Sequence, residues 1–453
     1  MRIFGKFSIR LLGFFGPVIV YFVTPVVGAN GVSTITITAA LLMIYITLRM
    51  IILSSKEQLD IFMMCNYLFY YVSSGVAVIA MERQGIRLNL DWAFPLNNIL
   101  SSLLLSILSL WVIEYSYLKV MKASTFEHSL VNSAPKNKNL SVLSIISLFL
   151  SALYLTLIPL ESLFDSRATA VASLNATFAN DIGQASIGLL IALTKIAPLC
   201  ICSFVILSRK RRGEKYRLLD LISVLPSLIA INPISSARYV FLILVITLSC
   251  SFFKLKSNFQ SELFVYIGVI VAIFIFPNLD FARNENGSFR LLSVSNSLEQ
   301  VAKKDFDQIP MGALTLQSVR SEIAPIGRQI LGPLGFWIPR SAWNTKPFDT
   351  SILVARDTGL RNTNLSIPLW AEGWSSFRFL GVIVYPFLLS YFAARIKQQS
   401  KNSSGKLGMY FFLSGSVFIL QRGPLLQATG IVVFGLLCFY LLSRYETSRF
   451  QAM

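Results

Sequence analysis

Phe336-Trp337-Ile338-Pro339-Arg340-Ser341-Ala342-Trp343-Asn344-Thr345-Lys346-Pro347 sets two tryptophans, two prolines and two cations in a short run. It lies within 281–377, a polar stretch of about a hundred residues bounded by runs of hydrocarbon side chains. That contrast decides the fold class. Runs of about 20 apolar residues match a bilayer core, and irregular polar backbone between them must lie outside the hydrocarbon or be covered by protein. The chain has 453 residues, 54% hydrophobic and 14% charged, where a soluble domain carries roughly 25% charged residues. The reading is an all-α polytopic membrane protein with one large outward-facing loop, and the chemistry is expected in that loop.

Apolar runs near 9–28, 35–54, 59–81, 95–118, 140–160, 185–208, 218–232, 238–253, 262–279, 379–395, 407–421 and 425–443 are the candidate spans, about twelve with a range of 11–13. They divide the chain into helices one to nine over 1–280 (with an inner hairpin at 218–253), the loop 281–377, and three last helices over 378–453. Basic residues fall in short clusters between spans. Arg209-Lys210-Arg211-Arg212, Lys119, Lys122, Lys254, Lys256, Lys397, Lys401 and Lys406 collect on one side, as positive-inside asymmetry requires. Both termini are then expected to be cytoplasmic and 281–377 to face outward, into the periplasm if the membrane is a bacterial inner membrane. Arg2, Lys6 and Arg10 precede an apolar run without a clear cleavage signature, so an uncleaved first span is expected. The net charge of +18 follows this topological pattern, and no nucleic-acid partner is expected. Cys65, Cys200, Cys202, Cys250 and Cys438 all lie in apolar runs and read as small buried residues. No metal or cofactor motif is visible.

Two turns are too tight for ordinary connections: Asn232-Pro233 through Arg238, and Gln421-Arg422-Gly423-Pro424. Each places an arginine near the outer face of the bilayer. Such an arginine either snorkels to lipid phosphate or grips a phosphate-bearing ligand through its planar fork. Arg238, Arg283, Arg340 and Arg422 stand beside proline turns or span ends, where position is fixed. Trp343, in the proline-bounded run, offers an indole face to a sugar, and interfacial packing is the competing reading for the loop tryptophans. Lys195 falls within a span, where it needs a partner such as Asp165 or Asp181, or a watery cavity. The only histidine, His128, falls in the inside loop 119–139, so a base on the outer face must be a carboxylate. Glu372, with Asp349 and Asp357 upstream, is the candidate, and pairing with an arginine is its structural alternative.

Pro339-Arg340, Trp343, Lys346-Pro347, Glu372 with Trp374, the proline-bearing span end Phe276-Pro277 through Arg283, and the two tight hairpins resemble the O-antigen polymerases, which join lipid-linked oligosaccharide repeat units. The resemblance covers the C-terminal half. Asn344-Thr345 stands where a proline is common, and Arg378 where a glycine often follows the phenylalanine. The resemblance implies a GT-C-like polymerase and ligase architecture and a glycosyltransferase needing neither metal nor nucleotide sugar. Its donor is a glycan on undecaprenyl diphosphate and its acceptor a hydroxyl of a lipid-linked repeat unit. Glu372 and Arg340 are then catalytic, Arg238, Arg283, Arg340, Arg422 and Lys346 bind diphosphate, and Trp343 and Trp370 bind saccharide. Membrane lipid and a chain-length regulator are the implied partners. An O-antigen ligase is the nearest rival, although it depends on an outward histidine. A lipid-linked-oligosaccharide flippase would show two similar halves, and a non-catalytic assembly scaffold is the third alternative.

Overall fold

The computed structural model describes residues 2–26, 32–85, 96–123, 139–157, 192–234, 236–253, 258–284, 292–302, 306–320 and 325–448. These residues are helical, with no strand among them. Among the described residues nine helices precede the loop: α1 (Arg2–Val23), α2 (Thr34–Ser55), α3 (Ile61–Gln84), α4 (Leu96–Ala123), α5 (Leu140–Leu157), α6 (Ala197–Arg211), α7 (Leu218–Ala230), α8 (Arg238–Phe252) and α9 (Asn258–Asn284). The loop carries α10 (Val294–Gln300), α11 (Gln308–Arg320), α12 (Arg328–Leu334), α13 (Thr350–Thr358) and α14 (Leu369–Phe377). After it come α15 (Phe379–Gln399), α16 (Ser404–Arg422) and α17 (Leu425–Ser448).

Among the described residues six stretches are long and apolar enough to cross a bilayer: Thr34–Ser55, Ile61–Gln84, Asn97–Ala123, Gln260–Asn278, Phe379–Asn402 and Leu425–Glu446. The expected twelve therefore divide. The apolar parts of the helices at Gly13–Val23, Leu140–Thr156, Leu218–Ala230 and Arg238–Phe252 are shorter. At 1.5 Å per residue, α8 spans roughly 22 Å, less than the ~30 Å hydrocarbon core. In α7 the helix is interrupted at Ser223. The first seven residues of the expected span 185–208 lie outside the described residues, and the rest falls in a π turn and α6.

The central element is α3. Its apolar window is wholly buried, whereas only 28% of the α17 window is, so α17 lies at the margin of the bundle with Val433, Leu437, Tyr440 and Leu441 exposed. Between Tyr71 and Val76 α3 widens into a π-helical turn that presents Ser73 and Ser74 to the loop. Against it, α4 sets a stripe of buried serines at helical spacing. Ser102 Oγ donates to Ile309 O (2.7 Å), Ser106 bonds Ser74 (2.9 Å), Ser109 bonds Tyr70 (2.9 Å), and Ser116 meets Ser390 on α15. Small hydroxyl side chains let helices approach closely and satisfy one another where no water reaches.

These contacts also orient the bundle. α4 and α15 run in the same direction, since Gln398 near the end of α15 donates to Val120 O near the end of α4. α16 returns and α17 leaves again: Glu446 accepts from Ser403 Oγ and Ser404 N at the start of α16, while Leu425 N meets Glu372 at the opposite end. One end therefore holds Arg10 paired with Glu262, Arg49 with Glu114, and Arg209 with Asp220. The other holds Arg238, Arg422 and the loop.

The loop does not simply cover the bundle. α11 descends into it, with Ile309, Met311, Ala313, Leu314 and Leu316 buried. Gln308 Nε2 reaches Ser73 (2.6 Å) and Ser74 (2.5 Å), about 15 Å along α3 from its end at Gln84. Polar backbone at that depth is tolerable because protein surrounds it.

Candidate functional site

The run that opened the sequence reading folds into a closed turn tied by its own cations. Arg340 donates through Nη1 to Lys346 O (2.8 Å) and through Nη2 to Pro347 O (2.9 Å), and its guanidinium lies 4.4 Å from the Phe348 ring centroid. Arg356 stacks on the same ring at 4.4 Å. Lys346, only 8% exposed, donates from Nζ to Phe336 O (3.1 Å) and Ile338 O (2.8 Å). Burial, and then the charge of Arg340, lower its pKa from the ordinary lysine value. The prolines shape this turn and the cations fasten it to backbone carbonyls. Trp343 packs its ring on Gly335 and donates from its indole nitrogen to Thr345 Oγ1 (3.1 Å). Its other side remains half-exposed.

Directly after the turn, Asp349 caps α13 by accepting from Ser351 N (3.1 Å). Beside it is Glu372 on α14, buried, accepting from Thr350 Oγ1 (2.7 Å) and Leu425 N (2.9 Å). Both carboxyls border a narrow crevice closed by Gln329, Pro333, Phe348 and Leu426. Burial raises Asp349 above the usual aspartate range. Burial, reinforced by Asp349, pushes Glu372 up to about 8. A carboxyl held there keeps its proton at neutral pH. It donates in that state, and it accepts a proton only after losing its own.

The hairpin that follows carries the second cluster. Arg422 ends α16, with Nε 3.8 Å from Asp307 Oδ1 and its guanidinium 5.1 Å from the Tyr239 ring centroid. Arg238, starting α8, donates to Phe276 O (3.0 Å). Tyr239, Phe276 and Phe306 join the two arginines through ring contacts of 5.9 and 6.2 Å. Gln421, fully buried, anchors the turn by hydrogen bonds with Tyr70 Oη (3.2 Å) and Asn66 (3.4 Å). Three residues beyond Arg422, Leu425 N binds Glu372, so the hairpin joins the two clusters.

Of the residues singled out from sequence, Arg340, Lys346 and Trp343 share the closed turn, and Glu372 adjoins it through Asp349 and Thr350. Arg238 and Arg422 share the second cluster. Arg283 lies in the last turns of α9, and its side chain is outside what the structure describes, as is His128. Trp370 requires correction as a sugar platform. It is fully buried, with its ring against Gly312 of α11, where an added Cβ would overlap the indole. That indole is a core residue fixing α14 on α11. Lys195, in a π turn ahead of α6, donates to Ser236 Oγ (3.2 Å) and lies 4.5 Å from the Tyr154 ring centroid. Its anticipated partners Asp165 and Asp181 fall outside the described residues. Asp307, Tyr239 and Thr350 were not singled out. Only the position of Tyr239, next to Arg238 at a tight turn, offered a signal.

The junction of α14 and α15 has unusual geometry. Arg378 adopts φ 56°, a region that favours glycine, at the position where the family resemblance expects glycine. Gly373 and Gly381 meet backbone to backbone across the same elbow, with no room for a Cβ on either. Among the described residues no group of three or more His, Cys, Asp or Glu side chains is placed to hold a metal ion. Compared with known proteins, the chain matches no family model, no curated protein and no solved structure.

Proposed function

We propose that this chain is a surface-polysaccharide polymerase of the O-antigen type, transferring a growing glycan from a polyprenyl diphosphate to a hydroxyl of a lipid-linked repeat unit. The observation that carries the proposal is the joining of two arginine-bearing clusters by one hairpin. Arg238 and Arg422 flank Tyr239, and Leu425, just beyond Arg422, holds Glu372 next to the Arg340–Lys346 turn. In the reaction the acceptor oxygen attacks the anomeric carbon and the bond to the diphosphate oxygen breaks. The electron pair leaves on the diphosphate, and the hydroxyl proton passes to a base. Guanidinium forks at the leaving oxygens stabilise the charge that develops there, usually the largest catalytic contribution. Glu372, once deprotonated, takes the acceptor proton, a role worth typically 10²–10⁴-fold. In this reading the arginine-bearing end faces the periplasm, and the basic end, with Arg209 to Arg212, faces the cytoplasm.

The test is the surface-glycan profile of a deletion strain complemented with wild type, Arg422→Lys or Arg238→Lys. Polymerase loss leaves lipopolysaccharide capped by a single repeat unit, whereas loss of a ligase or flippase leaves no cap. Lysine keeps the charge and loses the bidentate fork, so both variants are expected to lose the long-chain ladder. Ladders of normal length from both would remove these arginines from the mechanism.

A further inference from the structure

Within the polar loop, α12 and the start of the proline turn carry an outward apolar stripe. Leu331, Leu334 and Trp337 are 46%, 60% and 65% exposed, about one per helical turn, whereas Gly332 and Gly335, between them, are buried. The inward side faces α17. Gly332 packs beside Leu426, and the Phe336 ring lies over Gly430. Both contacts advance together along the two segments, so the stripe follows α17 away from its loop end.

That direction leads into the bilayer. The apolar stretch of α17 runs from Leu425 to Glu446, about 33 Å at 1.5 Å per residue, and so little exceeds the ~30 Å hydrocarbon core. Gly430 lies roughly 7 Å inside that stretch. Beyond it on the same face of α17, Val433, Leu437 and Leu441 are exposed at helical spacing. The stripe of the loop therefore leads straight onto the outward face of a membrane-crossing helix. At its other edge Gly327 N donates to Ser376 O (2.6 Å). This ties the start of α12 to the elbow, where Phe379 and Leu380, both exposed, open α15. A segment reaching this depth matches an interfacial one, whose apolar side sinks about 5–10 Å into the boundary between headgroups and acyl chains.

We infer that α12 and residues 335–338 form a wedge seated in the leaflet on the loop side, with Leu331, Leu334 and Trp337 against phospholipid acyl chains. An indole suits that position, having an apolar ring and a polar N–H. A second copy of the chain on this stripe would have to displace lipid from the face of α17 as well. The inference needs only that α15 and α17 cross a bilayer, and it is independent of glycosyl transfer. Its result is that the turn closed by Arg340 and Lys346 is held at headgroup level.

Trp337 itself is the probe. The full chain is placed in phosphatidylcholine nanodiscs, and the emission of Trp337→Phe is subtracted from that of wild type to isolate this indole. Phosphatidylcholine brominated at the headgroup end of its acyl chains should remove most of the difference signal. Bromines at the chain ends should remove less, and aqueous iodide little. Leu331→Asp/Leu334→Asp replaces two exposed side chains, so folding is retained, but carboxylates are expelled from acyl chains. It should exchange lipid quenching for iodide quenching. Quenching of the wild-type signal by iodide and not by lipid would overturn the inference, because the stripe would then face water. Protection from both quenchers would also overturn it, by showing that protein covers the stripe, from a second copy or another segment of this chain. Lipid quenching that persists in Leu331→Asp/Leu334→Asp would remove the stripe as the cause of the seating.

Discussion

Replacing Glu372 by glutamine tests the buried carboxyl through its proton. The folded protein holds the group at about 8, against an ordinary value of 4.5, so between those pH values the folded state binds a proton that the unfolded state has released. Stability from this group is therefore complete below pH 4.5, falls as pH rises, and levels off above about 8. At about 1.4 kcal/mol per pH unit the whole range amounts to roughly 5 kcal/mol. Glutamine is nearly isosteric. Its carbonyl can accept from Leu425 N, and its amide can donate to Thr350 Oγ1 if that hydroxyl turns round, but it cannot ionise. Thermal unfolding in nanodiscs from pH 5 to 9 should show a wild-type Tm that falls relative to Glu372→Gln as pH rises, with the variant the more stable above pH 8. Subtracting the variant removes the titrating groups remote from Glu372, so the difference reports Glu372 together with the neighbouring Asp349. A wild-type-minus-variant difference that stays flat across this range would refute the placement of Glu372 in a dry pocket beside Asp349.

Three further outcomes follow from the same region. Arg378→Gly should raise stability by about 1–2 kcal/mol by relieving a positive φ, less what is lost with two long guanidinium contacts at 3.4 Å to Trp374 O and Ser375 O; an unchanged or lower Tm would argue against the strain. Gly373→Ala should lower stability by about 3 kcal/mol or more, because the intruding methyl meets Gly381 backbone rather than a side chain that can swing away; a normal Tm and yield would contradict the close crossing. Arg340→Ala removes two charge-assisted bonds to carbonyls, each worth about 1.5–3 kcal/mol, and should open 336–347 to limited proteolysis, with cleavage mapped by mass spectrometry. Resistance equal to wild type would mean that the turn is held by other contacts.

Much of the helix plan is legible in the hydropathy alone. The expected spans 35–54, 59–81, 95–118, 379–395 and 425–443 match α2, α3, α4, α15 and α17 to within two residues at their starts, because each side chain there meets the same apolar demand whatever its neighbours. The descent of α11 is not legible. Met311-Gly312-Ala313-Leu314-Thr315-Leu316 is too short to register as a span, and its reason for burial, the Trp370 ring on Gly312, depends on a residue far along the chain. For the same reason Trp370 resembles its exposed neighbour Trp337 in sequence and differs from it entirely in position. The serine stripe of α4 was present as a spacing but carried no chemistry until Ser74, Tyr70 and Ser390 were brought opposite. In the candidate site, local features could be read: the proline-framed turn and the arginines at span ends. The contact of Glu372 with Leu425 and the ion pair of Arg422 with Asp307 join distant segments, and no periodicity in the sequence encodes such pairings.

The touching backbones of Gly373 and Gly381 lock α14 and α15 into a single bent lever. Glu372 cannot shift without dragging α15, whose far end grips α4 through Gln398 and Val120. On the proposed polymerase reading, room for a bulky glycan comes from the proline turn, which is fastened chiefly by two cations on carbonyls. On the same reading, a diphosphate that drew Arg340 and Lys346 away from those carbonyls would loosen the turn by the act of binding.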